Sequence, residues 1–121
     1  MKSKRINIPL YDFRLDLIEV EDAKDVVLLR KFFKQIRLQD DVSNEILDSI
    51  ENNDIDGGWT LASLGIKRIL VVLLKMSSEE KRRQVLMHEK RHVEDDILDH
   101  CSINDKEAAA YLAGYLGKYM Y

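Results

Sequence analysis

Hydrophobic and polar residues along the first half of the chain predict a strand followed by two helices. Tyr11 to Leu17 alternates strictly between apolar and polar residues, which is the period of a strand with one buried face. Glu21 to Leu38 carries apolar residues at helical spacing, and Ser43 to Glu51 repeats that spacing with Ser43 as N-cap. Residues 52–58 are rich in Asn, Asp and Gly and predict a loop.

Two strands are predicted next. They run from Trp59 to Leu64 and from Lys67 to Met76, with a turn at Gly65 between them. The second strand contains the continuous apolar run Ile69 to Leu74, which indicates burial on both faces of a sheet.

Two helices complete the chain. The longer begins after an N-cap at Ser77 or Ser78 and continues to about His100, and the last opens at Asn104. This order of elements predicts an α+β fold, a small sheet packed with helices, in a single domain over residues 1–121.

Composition narrows the function classes. With 45% hydrophobic and 34% charged residues the chain is typical of a globular protein, and its net charge of −3 gives no basic surplus for nucleic acid. The longest apolar run is far shorter than the roughly 20 residues that span a bilayer, so we expect no membrane segment. No signal-like stretch follows the basic N-terminus, which favours a cytoplasmic location. One cysteine, Cys101, excludes an internal disulfide.

Candidate chemistry is concentrated in the pentapeptide His88 to His92. Because a helix turns about 100° per residue, its two histidines lie one turn apart on one side and could bind one zinc ion. Glu89 stands beside them, where a carboxylate could accept a proton from a water. Two histidines on a charged helix can equally be solvated surface residues.

A catalytic zinc site commonly has a third protein ligand. Glu107, near the start of the last helix, is the first candidate, because a chain reversal after Cys101 could swing it toward the histidines. It also fits a capping box opened by Asn104, which needs no metal. Three further candidates lie on the histidine helix itself: Asp96, Asp99 and His100. Asp96 could instead orient a histidine ring.

The segment His88 to His92, followed by Glu107 to Leu112, resembles the zincin metallopeptidases of the gluzincin type. In these enzymes one helix carries His-Glu-x-x-His and a later helix supplies a glutamate. The short chain is similar to the minigluzincins and to the peptidase-like domains of phage and mobile-element regulators. Residues 1–56 resemble no family.

The resemblance implies three zinc ligands, which are His88, His92 and Glu107, with Glu89 as the general base. It also implies that the strand from Lys67 to Met76 forms the cleft wall that pairs with substrate. Tyr111, one turn after Glu107, is the candidate donor to a developing oxyanion, although tyrosines at this spacing also suit helix packing.

The sequence therefore predicts a zinc-dependent metallopeptidase acting on a peptide or protein substrate. One alternative is a zinc-stabilised binding or regulatory domain without catalysis, in which a further side chain closes the fourth zinc position. Another is a small interaction domain whose histidines bind no metal.

Overall fold

The computed structural model describes residues 1–121 and confirms the α+β fold, with four strands and four α-helices. The elements in chain order are β1 Lys2–Ile8, β2 Phe13–Glu19, α1 Val26–Gln35, α2 Asp40–Glu51, β3 Gly58–Ser63, β4 Arg68–Leu73, α3 Glu79–His100 and α4 Lys106–Tyr119. Single 3-10 turns precede α1 and β4.

The four strands form one mixed sheet in the order β1-β2-β4-β3. β1 is antiparallel to β2, β2 is parallel to β4, and β3 is antiparallel to β4. The two interior strands, β2 and β4, are therefore hydrogen-bonded to a neighbour on both sides, while β1 and β3 are the edges. Burial of β4 on both faces was predicted, and Ile69 to Leu74 are all buried.

Helices cover both faces of the sheet. One core contains 15 buried residues and joins the sheet to α3 and α4, and a second contains 12 and joins the opposite face to α1 and α2. The prediction of a strand at β2 with a single buried face was wrong. Phe13, Leu15 and Leu17 do face the first core, but Ile18 faces the second and Asp16 is also buried.

Several elements differ from the sequence prediction. β2 runs from Phe13 to Glu19 instead of Tyr11 to Leu17, and β4 ends at Leu73 instead of Met76. β1 was not predicted, because only Ile6 and Ile8 of its residues are buried. The first helix begins at Val26 and not at Glu21, because a separate 3-10 turn precedes it. The side chain of Asp25 accepts a hydrogen bond from the backbone N–H of Glu21 and stabilises that turn. The second helix begins before Ser43, at Asp40.

Candidate functional site

The core contacts of α3 fix how its two histidines are presented. The helix begins as predicted after Ser78, whose hydroxyl oxygen accepts the N–H of Lys81 at 3.0 Å. Its apolar stripe packs fully buried against the sheet and consists of Leu86, Val93 and Ile97. With that stripe turned inward, His88 and His92 are exposed along the flank of the helix.

The two imidazoles lie at the separation of two ligands of one zinc ion. Nε2 of His88 and Nε2 of His92 are 3.1 Å apart, and the rings are nearly perpendicular with centroids 4.7 Å apart. Zinc–nitrogen bonds of about 2.0–2.1 Å at a tetrahedral angle put two nitrogens roughly 3.3 Å apart. The same distance also suits one N–H···N hydrogen bond between the rings when no metal is bound.

The histidines line an open groove between α3 and β3, which we call the histidine groove. Its volume is about 330 Å³. Gly58, Trp59 and Thr60 form the β3 wall, and the α3 wall consists of His88, Glu89, His92 and Asp96. A second groove of about 290 Å³ adjoins it and extends toward Asp56 and Lys81.

Glu89 is buried between the helix and β3, with 5% of its surface exposed. Its Oε1 accepts a hydrogen bond from the Thr60 hydroxyl at 3.0 Å, and the same hydroxyl lies 3.2 Å from the Glu89 carbonyl oxygen. This contact ties the carboxylate to β3 through Oε1, and Glu89 also lines the histidine groove.

Gly58 allows β3 to lie this close to α3. A Cβ at position 58 would meet Val85 Cγ1 at 3.0 Å and Glu89 Cγ at 3.2 Å, closer than ordinary contacts. Sequence reasoning missed both Gly58 and Thr60. A glycine opening a strand was the available signal, because such a glycine often marks a close approach of another element.

Asp96 lies one turn beyond His92 in the same groove. Burial raises the pKa of this carboxyl, and repulsion from Asp95 and Asp99 acts in the same direction, while the positive charge of protonated His92 lowers it. Asp96 is eight positions from His88, which is about 12 Å along the helix axis. It is therefore better placed to contact His92 than to bind the same metal ion as His88.

Glu107 and Tyr111 lie outside the histidine groove, because α4 packs on a different side of α3. A Cβ at Gly117 of α4 would lie 3.6 Å from Lys90 Cε, and Lys90 is about 200° around the helix from His88. Glu107 is exposed, and its backbone N–H donates to Asp105 Oδ1 at 3.1 Å. The N-cap of α4 is therefore Asp105, not Asn104.

The remaining candidates lie away from the groove as well. Tyr111 is exposed and stacks on Tyr115, with ring centroids 6.4 Å apart. The ring of His100 meets the edge of the core residue Phe13 at 5.8 Å, and Asp99 is exposed without lining the groove. No group of three or more His, Cys, Asp or Glu side chains lies close enough to hold a metal ion. The structure brings together the histidine pair and Glu89 but no third ligand.

The strand beside the histidines is not the one that the resemblance implies. β4, within the segment Lys67 to Met76, is bonded to β2 on one side and β3 on the other, so it has no free edge for a substrate. β3 has the free edge and forms the wall of the histidine groove.

No helix combines the length and the apolar character that crossing a bilayer requires. Comparison of the chain with protein-family models, with curated proteins and with solved structures finds no match in any of the three.

Proposed function

We propose that the chain is a zinc-dependent peptidase that binds an extended peptide along β3, with His88 and His92 as zinc ligands and Glu89 as general base. One observation carries this proposal. A histidine pair at zinc spacing, a carboxylate and the free edge of a sheet all lie in one groove.

The free edge supplies the means of holding a peptide. β3 is hydrogen-bonded to β4 on one side only, so its outer N–H and C=O groups have no partner strand. An extended peptide adds to such an edge through main-chain hydrogen bonds. Gly58 to Ser63 contains no charged residue, so no charge repels a strand from this edge.

The histidine pair fits zinc as two of its ligands, because neutral imidazole nitrogens are ordinary zinc donors and these two have the required separation. Bound zinc supplies Lewis-acid chemistry, polarising a carbonyl and lowering the pKa of a water. Asp96 lines the groove one turn beyond His92, where it would orient the His92 ring as an outer carboxylate once zinc is bound. The ligand role of Glu107 and the donor role of Tyr111 stay predictions, which require α4 to shift from its present packing.

Glu89 is suited to the proton transfer by the way it is held. The Thr60 hydroxyl fixes Oε1, so Oε2 can accept a proton from a water in the groove without the side chain reorienting. Burial of Glu89 beneath β3 also keeps the carboxylate from swinging into bulk solvent.

The test is cleavage of a mixed peptide library by the zinc-loaded protein, followed by mass spectrometry. We expect Glu89→Gln to lower the cleavage rate by about 10²–10⁴-fold, the usual contribution of a general base, while zinc binding is retained. Glu80→Gln is the matched control, because Glu80 is an exposed glutamate in the first turn of the same helix. Equal rates for Glu89→Gln and the wild type would overturn the mechanism.

A second candidate is a zinc-binding module that holds a peptide without cleaving it. The missing third ligand favours it, since a catalytic zinc commonly has three protein ligands. A metal that fastens α3 to α4 has no support, because the histidines do not lie on the side of α3 that faces α4. That side carries the Lys90–Glu94 ion pair of 3.2 Å instead. Zinc-dependent peptide binding without any cleavage would favour this module.

A further inference from the structure

A cluster of charged side chains lies on the other face of the sheet, away from the histidine groove. It spans three neighbouring strands: Arg5 on β1, Arg14 and Asp16 on β2, and Arg68 on β4. In the strand registers Arg5 is directly opposite Asp16, and Arg14 is directly opposite Arg68. We call these four residues the arginine cluster.

The arginine cluster carries a net positive charge, because it contains three arginines and one aspartate. The Asp16 carboxylate accepts hydrogen bonds from Arg5 Nε at 2.9 Å and Arg68 Nη2 at 3.1 Å. Arg14 Nε is 4.0 Å from the same carboxylate, beyond hydrogen-bond distance. Three guanidinium groups thus surround one carboxylate, and like charges directly opposite in a sheet destabilise it.

Two of the guanidinium groups have unused hydrogen-bonding capacity. Nε of Arg14 and Nε of Arg68 are buried without an acceptor, and the Arg14 side chain makes no hydrogen bond. Arg68 has a second acceptor in Gln35 Oε1, at 3.3 Å. Burial, with repulsion from Arg68 and Arg5, lowers the pKa of Arg14.

The cluster is open to solvent on one side. The side chain of Arg14 is 36% exposed and that of Arg5 is 51% exposed, whereas Asp16 beneath them is only 7% exposed. A ligand arriving from solvent therefore meets Arg5 and Arg14 first, above a carboxylate whose two oxygens already accept hydrogen bonds from Arg5 and Arg68.

We infer that the arginine cluster binds a phosphate-type dianion between Arg5 and Arg14. Such a group carries a charge of about −1.5 to −2 at pH 7, which matches the surplus of positive charge in the cluster. Planar guanidinium forks bind phosphate oxygens bidentately, and Arg14 has no hydrogen-bond partner within the protein, only the Asp16 carboxylate at 4.0 Å. This inference is independent of the proposed peptidase function.

The first test follows backbone amide signals of β1 and β2 by NMR during titration with inorganic phosphate, with sodium chloride at matched ionic strength as reference. We expect saturable shifts in the wild type and binding weaker by about tenfold or more in Arg14→Gln, which loses a charge-assisted hydrogen bond. Arg91→Gln is the control, because Arg91 is exposed on α3 and pairs with Asp95. Shifts that do not saturate, or that sodium chloride reproduces, overturn the inference.

A second test uses Asp16→Asn, which removes the only carboxylate of the cluster. We expect this variant to melt below the wild type and phosphate to raise its melting temperature more than that of the wild type, because the anion replaces the lost charge. An equal or smaller rise overturns the inference. O-phosphoserine as a second probe identifies the molecule that carries the phosphate group. Tighter binding of O-phosphoserine than of phosphate indicates a phosphorylated polypeptide, and equal binding indicates free phosphate.

Discussion

The two edges of the sheet differ in charge and in what lies beside them. β1 contains Lys2, Lys4 and Arg5 and no acidic residue, and all three are exposed. β3 contains no charged residue and lies against the histidine groove. Both edges have a row of backbone groups without a partner strand.

Exposed edges invite pairing with other strands, and lysine on an edge is a common way to prevent it. β1 is protected in this way. β3 is not, although it is equally an edge. The proposed function accounts for this difference, because it requires β3 to stay available for a peptide strand beside the histidines and Glu89.

Removing the carboxylate of Asp96 from the histidine groove should give the largest effect on metal affinity short of removing a ligand. We expect Asp96→Asn to weaken zinc binding by about 10–100-fold, because a histidine ligand loses the carboxylate that orients its ring. Competition with a zinc-sensitive dye measures the affinity. Asp95→Asn is the control, since Asp95 is exposed, pairs with Arg91 and does not line the groove. Equal affinities for the two variants would remove Asp96 from the site.

Forcing β3 away from α3 tests whether the groove depends on their close contact. We expect Gly58→Ala to destabilise the protein by about 1–3 kcal/mol, because the added methyl overpacks against Val85 and Glu89. Gly114→Ala is the matched control, because nothing lies within 4 Å of a Cβ there and alanine favours a helix by about 1 kcal/mol. Urea unfolding measures both, and a stable Gly58→Ala would contradict the packing described.

Exchanging the charges of the two edge strands tests directly whether charge is what distinguishes them. We expect Ala62→Lys to reduce peptide association at β3, and replacement of Lys2 and Lys4 by threonine to cause self-association through β1. Each change should alter stability by no more than about 0.5 kcal/mol, because all three residues are exposed. Analytical ultracentrifugation and peptide binding report the outcome, and unchanged association in both variants would show that charge does not distinguish the edges.

The smallest effect concerns Asp56, which ties the start of β3 to the segment before α3. Hydrogen bonds from the Ser77 backbone N–H and hydroxyl hold the pKa of Asp56 below its ordinary value. Since the pKa is lower in the folded state, its stabilisation is complete above the unfolded value of about 3.9 and is lost as pH falls through the folded value.

We therefore expect the melting temperatures of wild type and Asp56→Asn to converge below about pH 4 and to differ at neutral pH. Asp54→Asn, at an exposed neighbouring position, should follow the wild type throughout. A constant difference between wild type and Asp56→Asn at all pH values would show that the carboxylate does not contribute through its charge.

Periodicity predicted the elements that have strong apolar patterns. The doubly buried strand β4 follows from its continuous apolar run, and the start of α3 follows from the serine N-cap before it. β1 was missed because its exposed charged residues conceal the strand pattern, which only pairing with β2 reveals. Charge on an edge strand serves to prevent aggregation and gives no signal of secondary structure.

The histidine pair followed from helical spacing alone, but its surroundings did not. The contact of Glu89 with Thr60 depends on β3 crossing α3, which local patterns do not specify. The placement of Glu107 depends on how the chain reverses after Cys101, and the packing of α4 against the Lys90 side took it away from the histidines. The resemblance to gluzincins rests on the order of motifs along the chain, and that order does not determine how α4 packs on α3.

Zinc content of the purified, zinc-equilibrated protein tests the central claim most directly. We expect about one zinc per chain in the wild type, lost in His88→Ala and in His92→Ala. His100→Ala should retain the metal, because that ring packs against Phe13 outside the groove. Zinc absent from the wild type, or retained when either groove histidine is removed, would contradict the assignment of the histidine pair as a metal site.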